Sequence, residues 1–257
     1  MNISNEKLTK LWTTKNKDDE WWSSFVTSPL AIFANYFVVD IKWLTPNIIT
    51  LLSFLVALVS VALIVIGSHI NFVIAALLIQ LSHTLDCMDG QMARFRKTNS
   101  PIGSYYDKLT DHLQVALWFG AVGYAAYDQT QSIKPLLLAF AGVTFYSLRG
   151  YSKYMFLYTK MQNDSDQLKQ IPVKDTTEPT IEKAGISFST AENLRWFFNE
   201  QRKIVFFNEG VFIFMLSAAL IFNVLTPMLI LFALSQFIYA IKRSLSQIAQ
   251  LKEQNKN

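Results

Sequence analysis

The sequence predicts an all-α integral membrane protein, with six transmembrane helices preceded by an interfacial amphipathic helix. Three observations carry that reading. The 257 residues are 51% hydrophobic and only 16% charged, more apolar and less charged than an ordinary soluble domain. The apolar residues are clumped, with no Asp, Glu, Lys or Arg in residues 44–67 or 70–85, and about 20 mostly apolar residues suffice to cross the hydrocarbon. The basic residues, finally, gather on alternate connections between the apolar stretches.

The polar start, "MNISNEKLTKLWTTKNKDDE", lacks the apolar core of a signal peptide, so the first spanning helix is expected to be retained. Residues 19–38, "DEWWSSFVTSPLAIFANYFV", begin acidic and become aromatic and apolar. With Pro29 interrupting them, they are read as the interfacial helix, with Trp21 and Trp22 at head-group level. The alternative is a spanning helix kinked at Pro29. Residues 1–40 thus form a cytoplasmic N-terminus with its interfacial helix, and residues 41–257 the membrane domain.

Thr45, Pro46 and Asn47 open the first span. Threonine can cap a helix, and proline is tolerated in a first turn because its missing N–H would be unpaired there anyway. The spans are read as 44–67, 70–89, 103–127, 133–157, 204–223 and 227–245. Arg94, Arg96, Lys97, Lys160, Lys169, Arg202, Lys203, Lys242 and Arg243 fall on one set of connections, whereas the opposite loops carry little beyond His69 and Lys134. The chain is therefore expected in the cell membrane, with both termini cytoplasmic. Residues 161–203 form a long polar cytoplasmic loop, in which Trp196, Phe197 and Phe198 suit an interfacial helix leading into the fifth span. The formal net charge of +4 does not suggest a nucleic-acid partner. A single cysteine, Cys87, excludes an internal disulfide.

Chemistry concentrates in residues 85–111, "LDCMDGQMARFRKTNSPIGSYYDKLTD". On a helix, Asp86, Asp89, Gly90 and Ala93 share one face at the end of the second span. Arg94 lies one step round from Ala93 and four residues from Gly90. Gly103, Asp107 and Asp111 share a face at the start of the third span. A short turn joins the two helices, so an antiparallel pair would point four carboxylates into one gap. Four ionised acids there need a compensating cation, and hard oxygen ligands suit a hard divalent ion, magnesium being the default beside phosphates. The small residues leave room for a bulky group on the same face. These features fit a metal-bound pyrophosphate with its attached group.

The order Asp-x2-Asp-Gly-x2-Ala-Arg-x8-Gly-x3-Asp-x3-Asp, carried here by Asp86, Asp89, Gly90, Ala93, Arg94, Gly103, Asp107 and Asp111, resembles the signature of the CDP-alcohol phosphatidyltransferase family. At roughly 5% per residue type, eight chance matches would occur in about one chain in 10^8. The resemblance implies transfer of a substituted phosphoryl group from a CDP-alcohol donor to an alcohol or alcohol-phosphate acceptor, with release of CMP. It further implies two metal ions, magnesium or in its place manganese, among Asp86, Asp89, Asp107 and Asp111. Asp111 would be the base toward the acceptor hydroxyl, with Asp107 beside it in the catalytic pair. Gly90, Ala93 and Gly103 would accommodate the cytidine nucleotide, and Arg94 would lie beside the phosphates or brace the acids. By the same analogy a homodimer in the lipid bilayer is expected.

Arg149 and Lys153, four residues apart on the fourth span, are candidates for the anionic group of the acceptor, because guanidinium suits phosphate; the alternative is snorkelling to the interface. His83 and His112 flank the motif, and packing is the expected role for both. Cys87 is expected to be structural. Glu209, at the start of the fifth span, either pairs with a base or faces the pocket. Two other function classes remain. A CDP-linked polar head group could be the donor to a lipid or soluble alcohol, since the motif is shared. An ion-coupled transporter also uses intramembrane acids, but it does not require Gly90, Ala93 and Arg94 at these offsets.

Overall fold

The structure, a computed structural model, describes residues 3–15, 20–163, 189–201 and 209–254. Among them there is no strand. The helices are α1 (Ile3–Trp12), α2 (Ser28–Val38), α3 (Pro46–Ile66), α4 (His69–Arg96), α5 (Pro101–Thr130), α6 (Lys134–Asn163), α7 (Thr190–Gln201), α8 (Glu209–Ile221) and α9 (Leu225–Gln254). Three stretches, Pro46–Ile66, His69–Arg96 and Leu225–Lys252, are long and apolar enough to cross a membrane. Most of the polar loop falls outside the described residues, Lys169, Arg202 and Lys203 among them, as does the side chain of Glu209.

Helix starts follow the local chemistry. Thr45 caps α3, its hydroxyl accepting from the Ile48 N–H, and Pro46 occupies the first turn. Ser100 and Pro101 open α5 in the same way, with the Gly103 N–H donating to Ser100 Oγ at 3.0 Å. Helix ends do not follow hydropathy. α4 continues to Arg96, α6 to Asn163 and α9 to Gln254, well past the apolar stretches, because backbone hydrogen bonding propagates wherever residues of good helix propensity continue. Pro29 does not end its helix. The turn ahead of it, Ser23–Thr27, is π-helical, and that wider turn accommodates the missing donor.

Cross-helix contacts give the directions. Thr50 meets Asp89 and Ser53 meets Ser82, so α3 and α4 are antiparallel. Asn47 lies beside Gly103, and Trp118 Nε1 donates to Ser60 Oγ at 2.8 Å, so α5 runs with α3. α6 returns along α5, with His112 near Ser147 and Gly123 near Ala139. α9 runs with α6, and α8 runs against α4. The start of α3, the end of α4, the start of α5 and the ends of α6 and α9 therefore gather at one end of the bundle.

α2 runs alongside the second half of α4. Trp22 bonds Gln80, Ser23 meets His83, Asn35 bonds the Met88 carbonyl and Arg96 bonds the Val39 carbonyl. The inner face of α2 and the π-helical turn before it is partly polar (Ser23, Thr27, Ser28, Asn35), whereas Phe25, Leu30, Phe33 and Phe37 point outward. Small polar residues between helices and apolar residues outside are the arrangement expected in lipid. α7 carries Trp196 and Phe197 onto Phe25 and Trp21, with ring centroids 5.4 and 5.3 Å apart. It starts in a capping box: the Ser189 N–H and hydroxyl both donate to Glu192, and these bonds hold the Glu192 carboxyl below its ordinary range.

Among the described residues, Trp118, Phe72, Phe119 and Phe232 are the largest fully buried side chains, and the Phe119 and Phe232 rings stack with centroids 3.5 Å apart. Gly142 lets α6 approach that stack, since a Cβ there would overlap the Phe232 ring. Gly142→Ala is expected to destabilise the fold by about 1–3 kcal/mol. Thermal melting in detergent measures this, and an unchanged midpoint would show that the ring shifts freely.

Candidate active site

The last turns of α4 bring Asp86 and Asp89 opposite Asp107 in the second turn of α5. One carboxylate oxygen from each lies within 4.8 Å of the others. Oxygens that close repel unless a cation lies among them, so the donor set fits a hard divalent ion and the three acids could hold one. Asp89 is 5% exposed. The Thr50 hydroxyl of α3 donates to it in a short hydrogen bond, which fixes the carboxylate's orientation from a third helix.

Among the described residues, this group consists of Asp86, Asp89 and Asp107. Asp111 is not part of the group. It follows Asp107 by one helical turn, about 6 Å further along α5. The difference bears on roles, because a carboxylate beside the metal group can act on a proton without being a ligand.

A cavity of about 830 Å3 adjoins the acids, within the size range of small-molecule sites. Asp89, Gly90, Ala93, Arg94, Gly103 and Asp107 line it, together with residues of the α2–α3 connection and the first turn of α3. Six of the eight motif residues therefore meet in one hollow, while Asp86 and Asp111 do not line it. The Arg94 guanidinium lies over Gly90, where a Cβ would come within 3.2 Å of Nη1. Its Nε donates to the Thr14 carbonyl at 2.7 Å, so the segment after α1 helps to brace it. At Gly103 a Cβ would come within 3.2 Å of Asn47 Oδ1, so a side chain there would narrow the cavity at the start of α3.

Arg149 and Lys153 do not line this cavity. Arg149 is half-buried, donating to Gln236 Oε1 at 3.2 Å, with its guanidinium 4.8 Å from the Tyr239 ring centroid. Lys153 lines a second cavity of about 600 Å3 between the ends of α6 and α9, where it meets Lys242 and Arg243. The sequence reading had counted those two residues only as loop charges. Their signal was available, since α9 carries them at the same end of the chain's alternating charge pattern as Lys153. Thr50, Asn47 and Arg96 were also missed as lining or bracing residues; Thr50 could have been found as the residue one turn after the Pro46 helix start.

The histidines behave as packed residues. Buried His83 meets Ser23 Oγ at 3.1 Å, and His112 meets Ser147 Oγ at 3.1 Å while stacking on Tyr146. Cys87 packs near Thr27, with 3.7 Å between Sγ and Oγ1.

A family model, CDP-alcohol phosphatidyltransferase, matches residues 43–174, just over half of the chain. A stretch of 102 residues is 28% identical to the bifunctional IPC transferase and DIPP synthase of Thermococcus kodakarensis (strain ATCC BAA-918 / JCM 12380 / KOD1). That alignment covers 40% of this chain and 23% of the relative, so the similarity is to one part of a much longer protein. The family match spans both acidic helix ends and all of the cavity lining except Asp40 and Lys42, and on these grounds the chain belongs to the CDP-alcohol phosphatidyltransferase family.

Proposed function

We propose that the protein is a membrane transferase that moves a substituted phosphoryl group from a CDP-alcohol to the hydroxyl of a second alcohol and releases CMP. The observation that carries this reading is the convergence of Asp86, Asp89 and Asp107 beside a cavity kept open by Gly90, Ala93 and Gly103. The preferred donor is CDP-diacylglycerol, with a polar alcohol or alcohol phosphate as acceptor, in phospholipid synthesis. A CDP-linked polar head group with a lipid acceptor is the second allocation of the same motif.

Asp86, Asp89 and Asp107 would hold magnesium, two ions by analogy with the family and with Asp111 beside them, and manganese could substitute. When bound, the metal neutralises phosphate charge and stabilises the entering and leaving oxygens. Gly90, Ala93 and Gly103 make room for the cytidine nucleotide, and Arg94, held over Gly90, adds a fixed positive charge beside its phosphates. Asp111 accepts the proton of the attacking hydroxyl, with Asp107 one turn away. Positioning and charge neutralisation of this kind are the main requirements of in-line displacement at phosphorus. The acceptor's anionic group is held from α6 by Arg149 and Lys153.

In the membrane, α3, α4, α5, α6, α8 and α9 correspond to the six spans. Both termini and the acidic end of the bundle face the cytoplasm, and residues 19–38 form the interfacial helix. The working unit is a homodimer.

The test is to incubate purified protein with CDP-diacylglycerol and magnesium, screen alcohols and alcohol phosphates for CMP release, and identify the lipid product. Absence of CMP release with every acceptor, from this donor and from CDP-linked polar alcohols alike, would overturn the reading. Arg149→Ala is expected to impair use of a phosphorylated acceptor by at least about tenfold, from the loss of one charge-assisted contact, with donor affinity unchanged. Equal damage to donor and acceptor kinetics would assign Arg149 to charge balance instead.

A further inference from the structure

Arg96 lies two residues beyond the motif arginine, in the last turn of α4. Cations at a helix end commonly serve the helix's own carbonyls, but here that role is already filled. The Lys97 N–H donates to the Arg94 carbonyl and the Thr98 N–H to the Ala93 carbonyl, with Lys97 in the left-handed conformation at φ 56°. Arg96 is directed elsewhere. Its Nε donates to the Val39 carbonyl at 2.8 Å, its Nη2 to the Ile41 carbonyl at 2.8 Å and its Nη1 to the Leu44 carbonyl at 2.6 Å. One guanidinium thus spans the whole connection from α2 to α3.

The register of these bonds is informative. A carbonyl and the following N–H belong to one rigid peptide plane, so fixing the carbonyl of residue i orients the plane that leads into residue i+1. The residues that follow the three held carbonyls are Asp40, Lys42 and Thr45, and all three line the acid cavity. Thr45 is in turn the cap of α3, and Pro46 and Asn47 continue the same wall. Arg96 itself lines the cavity as well. A planar guanidinium with five donors can hold three separated acceptors at once, whereas the compact ammonium of lysine cannot match that fork.

We infer that Arg96 is a positioning residue, which holds the connection between α2 and α3 as one wall of the nucleotide cavity and thereby sets the affinity for the cytidine diphosphate part of the donor. This rests on the nucleotide reading of that cavity given above. The acids stand on α4 and α5, outside the held connection, so Arg96 governs donor binding rather than the chemical step.

The experiment uses the full-length protein in detergent with CDP and magnesium as the probe. In the wild type, CDP is expected to slow hydrogen exchange of the amides of residues 40–45, a measurement that depends on no variant. Arg96→Lys is expected to bind CDP about tenfold more weakly, as loss of charge-assisted hydrogen bonds of this kind predicts. Its KM for the CDP-alcohol should rise by about the same factor, with kcat and the acceptor KM within about twofold. Ser60→Ala, which removes the partner of Trp118 deep in the bundle, controls for general destabilisation: it should lower the melting temperature and leave CDP affinity unchanged. Equal CDP affinity in Arg96→Lys and wild type, or an equal loss in Ser60→Ala, would overturn the positioning role while leaving the family reading intact. Unaltered exchange at residues 40–45 on CDP binding would also overturn it. A wild type that binds no CDP would overturn both this inference and the nucleotide reading beneath it.

Discussion

Asp111→Asn is expected to lower turnover by about 10^2–10^4-fold, the usual contribution of a general base, while leaving the metal titration midpoint close to wild type. The two halves of that result have separate structural sources. Asp111 shares a face of α5 with Asp107 but stands outside the group whose oxygens lie within 4.8 Å of one another. Asparagine keeps the size and loses the proton acceptor. Asp107→Asn should behave differently, moving the metal titration as well as the rate, because its oxygen is one of the three. Steady-state assays across a magnesium series separate the cases. Wild-type turnover in Asp111→Asn would remove the base from the proposal, and a shift of the metal midpoint equal to that of Asp107→Asn would make Asp111 a ligand instead.

Asp89→Asn is expected to abolish the stabilisation that metal confers on the fold, and turnover with it. A metal that binds only the folded state adds about 2.7 kcal/mol at a concentration 100 times its Kd. In the wild type this appears as a rise in melting temperature on adding magnesium. The Asp89 side chain is buried and oriented by the Thr50 hydroxyl, so no solvent-exposed rearrangement can replace the missing ligand. The asparagine carbonyl can still accept from Thr50, so the variant is expected to fold. A magnesium-dependent rise in melting temperature as large as that of the wild type would show that Asp89 is not a ligand.

Much of the site was legible because its residues lie close in sequence on two helices joined by four residues. Spacings of three and four determine which side chains share a helical face, and a short connection determines that the faces meet. That reasoning brought Asp86, Asp89 and Asp107 together without a structure, and the family match agrees with the motif it used. For Asp111 the shared face gives no distance along the axis, and the group of three does not include it. Arg149 and Lys153 lie four residues apart on α6, but such spacing does not say which cavity a side chain borders. Lys153 opens onto a separate hollow with Lys242 and Arg243, and Arg149 is engaged by Gln236 and Tyr239 of α9.

The sequence by itself determined the all-helical class, the helix start at Thr45-Pro46, and the family, since each depends on interactions within a few residues or on a motif of fixed spacing; the start of α5 at Pro101, inside the stretch read as a turn before Gly103, it did not. Only the tertiary structure decided where the helices end, and which distant partners complete the site. Arg94 is braced by a carbonyl 80 residues earlier, Asp89 is oriented by a hydroxyl 39 residues earlier, and Arg96 holds carbonyls 52 to 57 residues earlier. Backbone carbonyls occur at every position and one hydroxyl resembles another, so no local pattern marks the particular ones that packing will bring to the cavity.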